Sequence, residues 1–569
     1  MSEHIYDAIV VGSGMSGGWA AKELTQKGLK TLVLERGPMV KHGEYPTAMW
    51  NPWDIPYGGL LTVEDRKRQP VQTATFAGAT DKHWFVDDID HPYVQTQPFE
   101  WVRGYHVGGR SLMWGRQTYR WSEMDFAANA NEGVAVDWPI RYKDLAPWYD
   151  HVETFIGVSG QAENLMQLPD GKFLPPMELN CVEKDFGNAI KSKFSRDLTI
   201  GRVAHLTAPL THNESPQRST CRYRNRCSRG CPFGAYFSSV ASTLPAAEKT
   251  GNMTLLPSAI VYEIIYDGKR GRASGVRVLD VETGAQTEYF ARVIFLCASA
   301  FGTAQLMLNS TSSRFPNGFG NDSDQLGRNV MDHIWGTGAT GTVEGYEDKY
   351  YFGRRPNGFY IPRFRNLGKE KANYLRGYGY QGGASRQGAL QAAGWGGAQG
   401  KFAAHPIGAK LKDAAAHPGP WGMFMMGFGE VLPHKDNRVT LDRERKDKFG
   451  LPVLAVDVNF RDNENRMRRA MIADAVEMLE AAGYKDVKPY DWGKPMGAGV
   501  HEMGTARMGR NAKTSVLNGW NQVHACKNVF VTDGACMTSA ACQNPSLTYM
   551  ALTARAANHA VEELKRRNL

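Results

Sequence analysis

Cys221, Cys227 and Cys231 follow one another in the spacing C-x5-C-x3-C, with Pro232 after the last. Thiolates at short spacing hold iron–sulfur clusters, and a final Cys followed by Pro recurs among such motifs. Three thiols are one ligand short of a tetrahedral zinc site. A zinc knuckle, a disulfide with a spare thiol and three buried free thiols therefore stay open beside the cluster. The run Gly12-Ser13-Gly14-Met15-Ser16-Gly17 is a G-x-G-x-x-G loop of the kind that cradles a dinucleotide diphosphate. A nucleotide cofactor and a compact thiolate cluster in one chain point to electrons moving from one redox centre to another. A glycine-rich stretch at 499–509 carries His501. Histidine suits a general base because its pKa lies near neutral pH, and functional residues concentrate on such loops.

The elements that would position the glycine loop are readable around it. Residues 6–11 form a β-branched run that predicts a buried parallel strand. Helical spacing follows over 18–27, with Trp19, Ala20, Ala21 and Leu24 apolar and Gly28 ending it. Residues 29–34 predict a second strand, which runs into Glu35 and Arg36. In this βαβ unit Gly12 allows the tight turn, Gly14 admits the pyrophosphate, and Gly17 lets the helix pack on the strand. The helix N-terminus stabilises the diphosphate, and Glu35 is placed to accept from the adenosine ribose. Met15, Ser16 and Arg36 are expected among the cofactor contacts. The loop alone does not distinguish FAD from NAD.

The chain has 569 residues, enough for several domains at ~150 residues each. Its 42% hydrophobic and 22% charged fractions are those of an ordinary globular protein. Eight cysteines in this length make no disulfide scaffold, and Cys181, Cys297, Cys526, Cys536 and Cys542 read as small core residues. No run of ~20 apolar residues predicts a membrane span. The N-terminus lacks the basic and apolar regions of a signal peptide, so export alongside a signal-bearing partner is the expected route if the protein leaves the cytoplasm. The net charge is +9, and Arg222, Arg224, Arg226 and Arg229 lie inside the cysteine segment. No nucleic-acid motif accompanies the charge. Arginines there would raise a cluster's reduction potential or dock an acidic electron acceptor.

Five further segments carry a resemblance. Residues 103–114, 298–308, 327–333, 531–535 and 543–548 are similar, in order, to elements of the glucose–methanol–choline (GMC) oxidoreductases. The resemblance implies an α/β fold with a Rossmann-like βαβ FAD-binding domain and an interleaved antiparallel-sheet substrate domain. It implies FAD contacts at Gly108, Gly109, Ser111, Met113, Val261, Ala298, Asp533 and Gly534, with the Asn544-Pro545 backbone at the pyrimidine edge. Met113 stands where one relative attaches its flavin through a histidine, so noncovalent FAD is expected. His501 becomes the base and Asn544 a polar clamp, since an amide orients but does not titrate. His333 is expected to pack between domains, and Glu502 to point away or form a structural ion pair.

The cysteine loop resembles that of the FAD-dependent sugar dehydrogenase branch of the family. That implies a [3Fe–4S] cluster on Cys221, Cys227 and Cys231, a small signal-bearing accessory subunit, a cytochrome c or other acceptor, and a periplasmic location by co-export, or a cytoplasmic one otherwise. The implied reaction oxidises a secondary hydroxyl of a sugar or glycoside to a ketone, with glucoside C3 the first choice. The alternatives are a sugar oxidase, or a gluconate or polyol dehydrogenase without a cluster; a non-enzymatic flavin subunit is disfavoured by His501 and Asn544.

The motif positions predict a discontinuous FAD domain over 1–45, 98–125, 216–335 and 495–569. The substrate domain then takes 46–97, 126–215 and 336–494. Residues 439–442 and 453–460 alternate like antiparallel strands. An amphipathic helix over 463–482 places Met467, Met471, Ala475, Met478 and Leu479 on one side as core filling. Residues 377–400, rich in Gly, Ala and Gln, read as a mobile loop.

Overall fold

A computed structural model describes residues 5–349, 358–369, 371–387 and 407–569. Strand β1 (Ile5–Val11) pairs in parallel with β2 (Thr31–Leu34) on one side and with Gln286–Leu296 on the other. Cys526–Val531 and Met253–Leu256 extend the parallel sheet at its two sides. At the centre of the sheet, over 8–11, 293–296 and 529–531, the strands are continuous apolar runs because both faces are covered. Val10, Val33, Phe295 and Phe530 are fully buried. Helix α1 (Met15–Gln26) and the C-terminal helix Ser546–Lys565 pack together over this sheet. An antiparallel hairpin, Ala259–Asp267 with Arg272–Asp280, leans on the start of Gln286–Leu296.

The second body is a seven-stranded sheet centred on Trp421–Glu430, with Thr337–Val343 and Tyr378–Arg386 antiparallel on either side. Helix Asp462–Ala481 lays buried Met467, Met471, Ala475, Met478 and Leu479 against it. A five-stranded sheet joins Met503–Thr505, Arg328–Met331, Arg438–Lys446, Pro452–Asp457 and Val94–Gln95. His501 lies just before its strand Met503–Thr505, and His333, just after Arg328–Met331, sits in a short strand paired opposite Glu430 in the seven-stranded sheet.

One expectation is corrected. Residues 378–386 are not a loop but a central strand, paired from Tyr378 opposite Gly429 to Arg386 opposite Trp421. Its glycines answer crowding rather than flexibility. A β-carbon on Gly382 would lie 2.4 Å from the Phe359 ring, and one on Gly379 would lie 2.6 Å from the Tyr360 hydroxyl. The remainder of that segment, 388–400, lies outside the described residues.

Candidate active site

One cavity of about 320 Å³ runs from the first βα turn to the carboxyl end of the parallel sheet, within the range of cofactor and ligand sites. Its wall includes Gly12, Gly14, Met15, Ser16, Glu35, Arg36, Gly109, Met113, Val261, Ala298, Asp533 and Gly534, and His501 and Asn544 also line it. Gly17, Gly108, Ser111 and Pro545 are not part of the wall.

The glycines separate by what demands them. A β-carbon on Gly12 would sit 2.5 Å from the Cys297 carbonyl oxygen, and one on Gly17 would sit 1.9 Å from that of Gly12. Both are required by the packing of the turn and helix. Gly14 is different: its β-carbon would meet only the Gly108 carbonyl, at 3.9 Å. It faces the cavity, so what requires glycine there is a bound group. The first turn of α1 carries no acidic residue to satisfy its N–H groups, which leaves them for an anion. The residues present thus fit a dinucleotide.

Gly108 and Ser111 act one layer back. The Gly108 N–H donates to Ser13 Oγ at 2.9 Å, and Ser111 Oγ donates to the Gly108 carbonyl at 2.6 Å. They clamp the second glycine loop onto the first. The Glu35 carboxylate accepts from Ser13 N (3.1 Å), Ser13 Oγ (2.7 Å) and Gly37 N (3.1 Å). Burial pushes its pKa up, and these bonds oppose the rise. Asp533 accepts from Thr303 Oγ1 and from Ala535 N, and burial raises its pKa to about 6.

At the far end of the cavity His501 Nε2 lies 3.3 Å from Asn544 Nδ2. The chain around His501 wraps a buried carboxylate. Asp332 accepts from Gly497 N (2.7 Å), Gly499 N (3.2 Å) and His501 N (3.0 Å). Val500, just before His501, is in the left-handed region at φ 55°. Burial and then Glu502 raise the Asp332 pKa to about 6. Burial, His333 and Arg110 hold the His501 pKa well below the ordinary histidine range, so the ring is neutral at pH 7. Glu502 forms a buried ion pair with Arg110 at 2.8 Å, and Arg110 also donates to the Val500 carbonyl.

Two residues of this site escape sequence reasoning. His333 does more than fill an interface: its Nδ1 lies 3.0 Å from His501 Nδ1. Gln381, on the strand that reads as a loop, donates to Asn544 Oδ1 at 2.7 Å. The adjacency of Asp332 and His333 was the available signal for the first; nothing local marks the second. Asp332, His333 and His501 bring ligand atoms within 4.8 Å. The carboxylate is occupied by backbone amides and the two rings face each other, so the group is a hydrogen-bond network.

The three cysteines line a second, small cavity with His205 and Tyr236. Among the described residues they are not gathered as ligands of one ion; a single zinc would hold thiolates about 3.8 Å apart. Burial raises the thiol pKa values of Cys221 and Cys227, and Arg116 and Arg224 pull that of Cys227 down. His205 is buried with both ring nitrogens unpartnered. A buried donor without a partner is costly, and this one lines the same cavity as the thiols.

Comparison with known proteins places these features. Residues 6–335 match the N-terminal model of the GMC oxidoreductases, and 433–553 match the C-terminal model. The chain is 29% identical to 2-methyl-1,2-propanediol dehydrogenase of Mycolicibacterium austroafricanum, covering 97% of this chain and 94% of the relative. It is 25% identical to the fructose dehydrogenase large subunit of Gluconobacter japonicus, covering 98% of each. The fold is similar to that of formate oxidase from Aspergillus oryzae RIB40, with a TM-score of 0.62 at 15% identity over 100% of both chains.

Proposed function

The chain belongs to the GMC oxidoreductase family, and from that premise we propose that it oxidises a secondary hydroxyl of a sugar or glycoside to a ketone, at glucoside C3 in the first instance. It is an FAD-dependent oxidoreductase acting on CH–OH groups. The observation that carries the reading is the pairing of a histidine ring nitrogen with an amide, 3.3 Å apart, in a cavity that fits a dinucleotide. FAD in that cavity supplies the acceptor for the hydride from the substrate carbon. His501 Nε2 removes the hydroxyl proton, and the Asn544 amide N–H donates to the substrate oxygen and stabilises it as charge develops. Glu35, Gly14 and the N-terminus of α1 hold the adenosine and diphosphate portions. Met113 offers no attachment, so FAD is noncovalent.

On this reading Cys221, Cys227 and Cys231 would hold an iron–sulfur cluster, [3Fe–4S] in type, which would supply an exit for the electrons. Support comes from the shared cavity of the three thiols and from the unpartnered His205 beside them. A multi-iron cluster sets each thiolate on a different iron and does not need them around one ion. The acceptor is a cytochrome c or similar protein, and a small accessory subunit brings the export signal that places the complex in the periplasm. The fructose dehydrogenase relative is itself named a large subunit. Beside the cysteine loop lies an exposed apolar stretch that includes Trp53, Tyr57 and Leu60. Arg224 and Arg229 tie the loop to the segment just before that stretch through the Ala48 and Trp50 carbonyls. Among the described residues no helix is long and apolar enough to cross a membrane.

The test is anaerobic bleaching of the flavin by a panel: methyl α-glucoside, D-fructose, D-gluconate and 2-methyl-1,2-propanediol. Methyl α-glucoside is expected to bleach fastest and to yield the 3-keto product. Faster bleaching by the diol moves the reading to a diol dehydrogenase, in line with the 29%-identical relative. Bleaching by none of the alcohols overturns it. Iron and sulfide analysis of anaerobically purified protein decides between the cluster and a cluster-free oxidase or dehydrogenase.

A further inference from the structure

The hydrogen bonds through His501 form a chain whose direction is set at one end. His333 Nε2 lies 2.5 Å from the Ala541 carbonyl oxygen. A carbonyl only accepts, so His333 carries its proton on Nε2. Burial lowers the His333 pKa to about 4, so the ring is neutral at pH 7 and its Nδ1 is a bare lone pair. That atom faces His501 Nδ1 at 3.0 Å. Two lone pairs do not face each other at this distance, so His501 carries its proton on Nδ1. Its Nε2 is therefore bare, and it points at the amide of Asn544. Gln381 holds that amide in the matching sense by donating to Asn544 Oδ1 at 2.7 Å.

The opposite assignment fails at the carbonyl. With the Asn544 oxygen toward His501, the proton would move to His501 Nε2. His501 Nδ1 would then accept, His333 Nδ1 would donate, and a bare His333 Nε2 would face the Ala541 oxygen at 2.5 Å. Relief would need a second proton on His333, which its burial opposes. The neighbouring charges do not intervene. Asp332 takes the backbone N–H of His501, and Arg110 is engaged by Glu502 and the Val500 carbonyl. None of them offers an acceptor to the His501 ring.

We propose that His333 and Gln381 are positioning residues that hold the His501–Asn544 pair in its one reactive protonation sense, with His333 fixing the base's tautomer and Gln381 fixing the clamp's amide. This rests on His501 being the base. Neither residue touches the reacting atoms, and Gln381 lies outside the wall of the cofactor cavity. Gln381→Glu changes one atom but replaces the donor by a carboxylate. Asn544 must then turn its NH2 toward Glu and its oxygen toward His501, which blocks the base.

The experiment has two arms. Ring nitrogen shifts of histidine-labelled holoenzyme at pH 7, assigned with single variants, are expected to show His501 as the Nδ1–H tautomer and His333 as the Nε2–H tautomer. The reverse tautomers, or a doubly protonated His333, overturn the proposal whatever the substrate proves to be. In the second arm, flavin bleaching by the best alcohol of the panel is followed in variants that retain FAD. Gln381→Glu is expected to slow it by ~10- to 100-fold, short of the loss on removing His501 itself. His333→Asn keeps an acceptor near the position of Nδ1 and is expected to stay within ~3-fold, whereas His333→Gln keeps only the reach to Ala541 and is expected to lose ~10-fold or more. Equal rates for Asn and Gln at 333, or a wild-type rate for Gln381→Glu, overturn it. If no alcohol bleaches the flavin, the functional reading fails, and the tautomer arm still decides the chain.

Discussion

Asp332→Asn keeps the volume of a fully buried side chain and removes one acceptor. The carboxylate holds His501 N on one oxygen and Gly497 N and Gly499 N on the other. An asparagine has a single oxygen, so its NH2 must face at least one backbone N–H. Keeping the two glycine bonds leaves the His501 N–H unpaired, at about 1–3 kcal/mol, and the remaining bonds lose their charge-assisted part, roughly another 1 kcal/mol each. The total is about 3–5 kcal/mol on one short segment. The pocket cannot absorb it by moving Asp332, since a β-carbon on Gly499 would already be 2.5 Å from Asp332 Oδ1. The strain falls on residues 497–501, where Val500 is held at φ 55°. A displacement of about 1 Å at a catalytic group costs on the order of 100-fold in rate. The pH profile gives a second reading. The Asp332 pKa is raised to about 6 and that of His501 lies well below 6.5. As pH falls through about 6, Asp332 is protonated and loses acceptor capacity before His501 titrates. Wild-type bleaching is expected to decline through that limb, and Asp332→Asn to be slow and flat across it. Stopped-flow bleaching between pH 5 and pH 8 checks both. A variant within ~3-fold of wild type, or one retaining the limb at pH 6, refutes the argument.

Gly14→Ala is expected to leave the melting temperature of the flavin-free protein nearly unchanged, because its β-carbon enters open space, while FAD loading falls sharply. Gly17→Ala is expected to destabilise by ~3 kcal/mol or more through its clash with Gly12, so flavin stoichiometry and apoprotein melting separate the two. Cys227→Ser is expected to lose iron and sulfide, since an alkoxide is a poor substitute for a soft thiolate. Its flavin should still bleach with substrate but should no longer reduce cytochrome c; cytochrome reduction by an iron-free variant would make the cysteines structural. Acid precipitation of the wild type is expected to release FAD to the supernatant, and flavin retained in the pellet would contradict the noncovalent assignment.

What could be read from sequence was local. The first βαβ unit lies in one contiguous stretch, and each glycine's role follows from its place in the turn. His501 and Asn544 needed the resemblance, because one histidine among fifteen has no spacing to mark it. Gln381 was hidden by composition. Its run of Gly, Ala and Gln resembles a linker, whereas the glycines are there because Phe359 and Tyr360 already fill the space beside the strand. What puts its amide on Asn544 is register: Gln381 stands opposite Met426 in one sheet partner and Tyr360 in the other. Side chains alternate along a strand, so a slip of one residue would turn Gln381 to the other face and bring Tyr380 or Gly382 in its place. Neither could donate an amide N–H to Asn544 Oδ1. The sense of the His501–Asn544 pair therefore depends on pairing between strands far apart in the chain, and periodicity within any one segment cannot report it.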